Sequence, residues 1–292
     1  MKKLTPFSAL VYVLLILLSV SVLIPILNLL AMSFSDPLKV QALGGLDILP
    51  KGFSLINYQV LFSNPLIVRS IFNTIFLTVA GTALNLFLTA MAAYVLSRTY
   101  FVGKKVVLVL LIIIMVFEPG LIPEYLLVKD LGLLNTYMSL IFYKAINVYY
   151  LFILIRFFQD VPDSILEAAR IDGAGHFRIF TRIMLPLSKP GLATLGLFYA
   201  VYHWNEYFRA TIYITDPNKW PLQVVLRQFV VQKDNASLIG AQNVLSYDKI
   251  ASLDFSSLQA GMIIVSMVPI LILYPLILKF YAKGAFEGGV KD

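Results

Sequence analysis

Cysteine is absent from the chain. That excludes a disulfide framework, a thiolate nucleophile and a cysteine-ligated metal site. Histidine is scarce: His176 and His203 are the only two, and they lack the H-E-x-x-H spacing of a zinc site. Charge is scarce too. Charged residues make up 13% of the 292 positions, where a soluble domain carries about 25%, so a water-facing surface could not be covered. The chain is instead 59% hydrophobic, which also excludes disorder. This is the composition of an integral membrane protein. A net charge of +7 would suggest nucleic acid in a soluble protein. Beside membrane spans such cations set orientation, and no nucleic-acid partner is expected.

A hydrocarbon core needs about 20 apolar residues to be crossed by a helix. Six segments qualify: 7–32, 70–96, 106–128, 137–157, 191–213 and 258–280. The expected fold is therefore all-α, with six transmembrane helices. Met1-Lys2-Lys3 imitates the start of a signal peptide, but the apolar run that follows is long and lacks a small-x-small cleavage site, so an uncleaved helix is expected. Six spans put both termini on one side. Segments 1–6, 97–105, 158–190 and 281–292 hold eleven Lys and Arg in 60 residues, against eight in the 89 residues of 33–69, 129–136 and 214–257. The bias predicts cytoplasmic termini. The outer loops, one carrying Asn57-Tyr58 and one a polar stretch over 216–254, are too small for separate domains. One membrane domain over 1–292 is expected, with its core at about 70–281. No repeat, heptad array or low-complexity tract is present.

Between spans four and five lies a cytoplasmic insertion at 161–190. Pro162-Asp163 reads as a helix start, and Ser164-Ile165-Leu166-Glu167 fits a capping box. The first short helix would carry Glu167, Ala168, Ala169 and Arg170, then stop at Asp172-Gly173, because glycine tolerates the left-handed conformation of a helix stop. A second helix is expected over 177–185, stopped by Pro186. Two short helices joined by a glycine turn make a knob. It either docks in a partner's groove or lies on lipid headgroups.

Glu167-Ala168-Ala169-Arg170-Ile171-Asp172-Gly173-Ala174, followed by Ile183-Met184-Leu185-Pro186, resembles the EAA signature of binding-protein-dependent ABC importer permeases. Ser97-Arg98 with Gly103-Lys104, and the tail Gly288-Gly289-Val290-Lys291, resemble the carbohydrate-uptake, maltose-permease-like branch. Tyr199 to Tyr207 is similar to a subgroup associated with complex oligosaccharides. The resemblance implies that Glu167, Ala168, Ala169, Asp172 and Gly173 form a coupling helix docking on a cytoplasmic ATPase. Gly288, Gly289, Val290 and Lys291 would approach the ATPase pair. It further implies a second related permease, two ATPases that hold ATP and magnesium, an extracytoplasmic binding protein and a location in the cell membrane. No Gly-x-x-x-x-Gly-Lys-Ser/Thr sequence occurs, so this chain is expected to hold no cofactor, to be no enzyme, and to receive its energy mechanically.

Charges within spans mark the candidate substrate pathway, since each is expensive in lipid. Glu118 lies near the middle of span three, and Pro119, Gly120 and Pro123 predict a break there. Lys144 lies in span four and is its expected partner, either as a helix lock or as part of the pathway. Span five carries Tyr199, Tyr202, His203, Trp204, Asn205, Glu206, Tyr207 and Arg209. Aromatic rings stack on sugar faces and polar groups bond hydroxyls, but Tyr and Trp also form belts at membrane interfaces. Tyr199, His203, Glu206 and Tyr207 have the spacing of one helix face. The expected function is a permease subunit importing a carbohydrate, of oligosaccharide size. A polyol or glycerol phosphate is the nearest alternative, and a secondary transporter is a more distant one. An intramembrane hydrolase lacks its constellation.

Overall fold

A computed structural model describes residues 5–98, 101–232 and 254–287, with the side chains of the last helix described to residue 275. Gly288, Gly289, Val290 and Lys291 lie outside the described residues. The all-helical expectation holds: among the described residues the one β pairing is an isolated bridge between Ser35 and Phe53.

Among the described residues, three helices are long and apolar enough to cross a membrane. The first, α1 (Pro6–Ser33), opens with Pro6 and is capped by the Thr5 hydroxyl accepting the Ser8 N–H at 3.2 Å. After the short α2 (Ile56–Ser63) comes α3 (Pro65–Ser97). The third is α14 (Phe255–Glu287). At 33 residues, α3 runs about 50 Å at about 1.5 Å per residue.

The expected third, fourth and fifth spans are built from pieces. Span three is α4 (Lys104–Val116) and α5 (Leu121–Asp130), bent by 114° across the Pro119-Gly120 break. Gly120 takes φ +83°, a left-handed backbone that favours glycine. Span four is α6 (Met138–Ile141), an irregular stretch, and α7 (Val148–Gln159). Asn147 starts α7 by accepting the Tyr150 N–H through its side chain at 3.3 Å. The insertion at 161–190 holds α8 (Asp163–Ile171), α9 (His176–Ile179), a π-helical turn (Phe180–Met184) and α10 (Leu185–Leu187). Span five is α11 (Lys189–Trp204) and α12 (Phe208–Tyr213), with α13 (Leu222–Val230) beyond it.

Contacts divide the chain into two compact units, 1–68 with 225–269 and 69–224 with 270–292. In the first, the fully buried Asn57 ties elements together. Its amide donates to the Ser33 and Ser35 carbonyls at 3.0 and 3.2 Å and accepts from the Ser257 hydroxyl at 3.1 Å. A buried amide left unpaired would cost its full desolvation. The most apolar window of α1 is entirely unburied, so its side chains are matched to lipid or to another chain.

In the second unit, a core cluster joins Tyr94, Leu151, Leu154, Phe158, Leu166, Ile179 and Met184, and so packs α3 and α7 against the 161–190 insertion. Small residues bring helices close, as membrane packing requires. A Cβ on Gly81 would meet the His203 ring at 2.4 Å, and one on Gly191 would meet the Phe157 ring at 2.7 Å.

Candidate coupling segment and translocation cavity

The insertion forms a hairpin hung from the core. Helix α8 is capped by Pro162 without a side-chain hydrogen bond. The expected Ser164–Glu167 capping box is corrected: the helix starts at Asp163, which places Ser164 inside the first turn. Asp163 there favours the positive end of the helix dipole. The far end follows the glycine stop. Gly173 takes φ +76°, its N–H donates to the Arg170 carbonyl at 3.0 Å, and the Ala174 N–H donates to the Ala169 carbonyl at 2.9 Å. These paired bonds satisfy carbonyls that a helix end otherwise leaves open. Leu166 is sunk in the core at 2% exposure. Ala169 is half-buried, while Glu167, Ala168, Asp172 and Gly173 face outward. Ile171 and Phe177 are exposed at 86% and 78%, which leaves an apolar rim around a small-residue surface.

The second helix differs from expectation. Pro186 does not stop it, because the chain widens to a π turn over Phe180–Met184 and carries on to Leu187. Proline's ring clashes with the carbonyl four residues back in a regular helix, and a π turn ahead of it relieves that clash.

The breaks of all three interrupted spans are joined by one charged network. At the first, Glu118 pairs with Lys144, Nζ to Oε1 at 2.5 Å, with side-chain exposures of 63% and 38%. Lys144 lies in the break of span four at φ +46°, not in a helix as the sequence predicts. Its neighbour Tyr143 donates to Glu124 on α5 at 3.2 Å. Arg209, opening α12, lies over the Tyr143 ring at 3.6 Å and hydrogen-bonds its hydroxyl. Glu206 accepts the Arg209 N–H at 3.0 Å and pairs with its guanidinium at 3.6 Å. Two cations and three carboxylates thus share the site. Non-helical backbone at membrane depth is tolerated where protein covers it or a polar cavity borders it.

Beside this network opens a cavity of about 710 Å³, bordered by Tyr202, Asn205, Glu206, Tyr207 and Arg209 with Tyr150 and Tyr274. The predicted span-five set is divided by the end of α11 at Trp204. Asn205, Glu206 and Tyr207 border the cavity. Tyr199, His203 and Trp204 do not: they are 1%, 2% and 4% exposed, in the packed interior. The Tyr199 hydroxyl bonds the Thr89 hydroxyl at 2.7 Å and accepts the Asn147 N–H at 3.0 Å, bracing α3 against the start of α7. The single-face spacing fails because the helix breaks before Glu206. Glu118 and Lys144 border a second cavity of about 360 Å³ with Glu124 and Asn147. Sequence reasoning missed Tyr143 and Glu124. The intramembrane acid at 124, one residue after Pro123, was the available signal.

Interrupted apolar helices meeting at a charged cavity are the architecture of a membrane transport protein. The class is that of a multi-pass permease. The chain belongs to the family of the binding-protein-dependent transport system inner membrane component, whose pattern matches residues 101–284. It is 40% identical to the polygalacturonan/rhamnogalacturonan transport system permease protein YtcP of Bacillus subtilis (strain 168), over 98% of each chain. It is 42% identical to Protein LplC of the same organism, over 92% of this chain and 89% of that one. Its fold matches a chain in the crystal structure of a bacterial ABC transporter that imports the acidic polysaccharide alginate. That match has a TM-score of 0.87 and 29% identity, and covers 96% of this chain and 100% of that one.

Proposed function

We propose that this chain is one permease subunit of an ATP-driven importer that passes an oligosaccharide from an extracytoplasmic binding protein into the cytoplasm. The observation that carries the reading is the hairpin: Leu166 anchors α8 in the core while Glu167, Ala168, Asp172 and Gly173 stand outward on a glycine-capped end. That surface suits a groove on a cytoplasmic ATPase. A second related permease and two ATPases, which hold ATP and magnesium, complete the complex. This chain supplies one membrane domain with both termini in the cytoplasm, and residues 288–291 approach the ATPases. Nucleotide-driven closure of the ATPases moves the hairpin as a rigid body and opens the pathway alternately to each side.

The carbohydrate assignment is supported by the polygalacturonan/rhamnogalacturonan and alginate relatives and by the cavity chemistry. Tyr150, Tyr202, Tyr207 and Tyr274 offer ring faces, and Asn205, Glu206 and Arg209 offer bonds to hydroxyls. The test is uptake in cells lacking only this subunit, with a panel of neutral and uronate oligosaccharides, a polyol and glycerol phosphate. Loss of uptake of one oligosaccharide class, restored by the intact gene, is expected. Loss confined to the polyol or glycerol phosphate would overturn the substrate class.

A further inference from the structure

Arg98 is a charge that the function described so far does not use. It follows the last residue of α3 and is only 6% exposed. Among the described residues no carboxylate forms an ion pair with it. Its partners are neutral and come from separate elements. Nε donates to the Ser97 hydroxyl at 3.1 Å. One terminal nitrogen reaches the Phe158 carbonyl at the end of α7 at 3.3 Å and the Met184 sulfur at the end of the π turn at 3.5 Å. The guanidinium also lies 5.4 Å from the centre of the Tyr94 ring. Tyr94 continues the connection, because its hydroxyl is 3.2 Å from Nδ1 of His176 at the start of α9.

Burying a cation without a counter-ion is costly, and removing its remaining partners leaves the charge unpaired. Such a residue brings little net stability, so its use lies in the geometry it imposes. A guanidinium suits this task because its planar fork bonds several acceptors at fixed angles, which an ammonium cannot do. The position matters as well. A π turn is a local irregularity often found at functional sites, and here it lies within the hairpin, between α9 and α10. Without a brace, movement of α8 would be taken up at Phe180–Met184. Arg98 holds the end of that turn at Met184, and Tyr94, which it lies over, holds the start at Phe180 and His176. Arg98 also borders a polar cavity of about 370 Å³ together with Leu166, Glu167 and Arg170 of α8.

We infer that Arg98 is a positioning residue that locks the α8–π-turn hairpin to the cytoplasmic ends of α3 and α7, so that hairpin and transmembrane helices move as one body. This rests on the reading of α8 as the ATPase-docking element.

The test uses the assembled complex in lipid nanodiscs, with spin labels on cysteines introduced at Phe177 on the hairpin and Ile75 on α3. Both side chains are exposed, and the chain has no other cysteine. In the parent, one inter-label distance is expected, unchanged between the nucleotide-free and ATP–vanadate states. In Arg98→Met, the ATPases should still copurify and hydrolyse ATP, and a second distance population should appear on adding ATP–vanadate. Arg98→Lys keeps the charge without the fork and should also show the second population, so it decides the matter if Arg98→Met fails to assemble. A parent-like distribution in an assembled variant overturns the inference, as does a nucleotide-dependent change in the parent itself. Failure of the underlying reading looks different: ATPases then fail to copurify with the parent, or their retention ignores Gly173→Pro.

Discussion

Gly81 faces the ring of His203 so closely that one methyl group would have to displace it. Overpacking of this kind costs about 1–3 kcal/mol, and the buried ring cannot swing aside into solvent. Gly81→Ala is therefore expected to lower the unfolding midpoint of the purified chain. His203→Ala added to it should recover part of the loss, since the clash is with that ring; two additive decreases would show that α3 and α11 are not in contact there. Glu118 and Lys144 give a second expectation at this scale. Their pair is half-exposed, and in water such a pair adds little to stability. Against hydrocarbon a lone charge costs more. Lys144→Met alone should reduce folded yield more than Lys144→Met with Glu118→Gln. The double variant should regain yield, and its uptake separates the two expected roles: continued loss of uptake would place both groups in the pathway. Recovery of both would make the pair a helix lock only.

Elements differ in how openly the sequence announces them. Pro119, Gly120 and Pro123 signal the break in span three, because proline removes a donor and glycine accepts positive φ. The break in span four contains neither residue: it is Phe142 to Asn147, with Lys144 in the left-handed region. The one in span five, Asn205 to Tyr207, has neither as well. Both are held by side chains distant in sequence, through the Tyr143–Arg209–Glu206 contacts, so no local pattern reports them. For the same reason the i, i+4, i+7 spacing from Tyr199 to Glu206 misled: it assumes a continuous helix. The glycine stop of α8, in contrast, was legible, since a left-handed turn after a short helix is local chemistry. Its test is direct. Gly173→Ala places a side chain at φ +76°, a strain of about 1–2 kcal/mol, and should weaken retention of the ATPases. Gly173→Pro cannot adopt that φ and also loses the bond to the Arg170 carbonyl. It should release the ATPases, as judged by copurification, and full retention in both variants would contradict the docking role.

For the whole molecule, composition alone set the class. Scarce charge and abundant apolar residues required a helical membrane body, and the helices and the family both agree. The piecewise build of spans three to five was beyond composition, since hydropathy windows average over short breaks. Membership of a binding-protein-dependent transport family accounts for the interrupted spans, the charged cavity and the outward-facing hairpin together. It also accounts for the unburied α1, whose apolar side chains need lipid or another subunit around them.

The central claim is that this body takes its power from a cytoplasmic ATPase through α8, and cross-linking from Ala168 tests it most directly. With no native cysteine, Ala168→Cys provides a unique thiol on the exposed face of α8. The account predicts that this thiol reacts with membrane-impermeant reagents only from the cytoplasmic side and cross-links to the ATPase subunit. Labelling from the outer face, or a cross-link to no ATPase in the assembled complex, would contradict it.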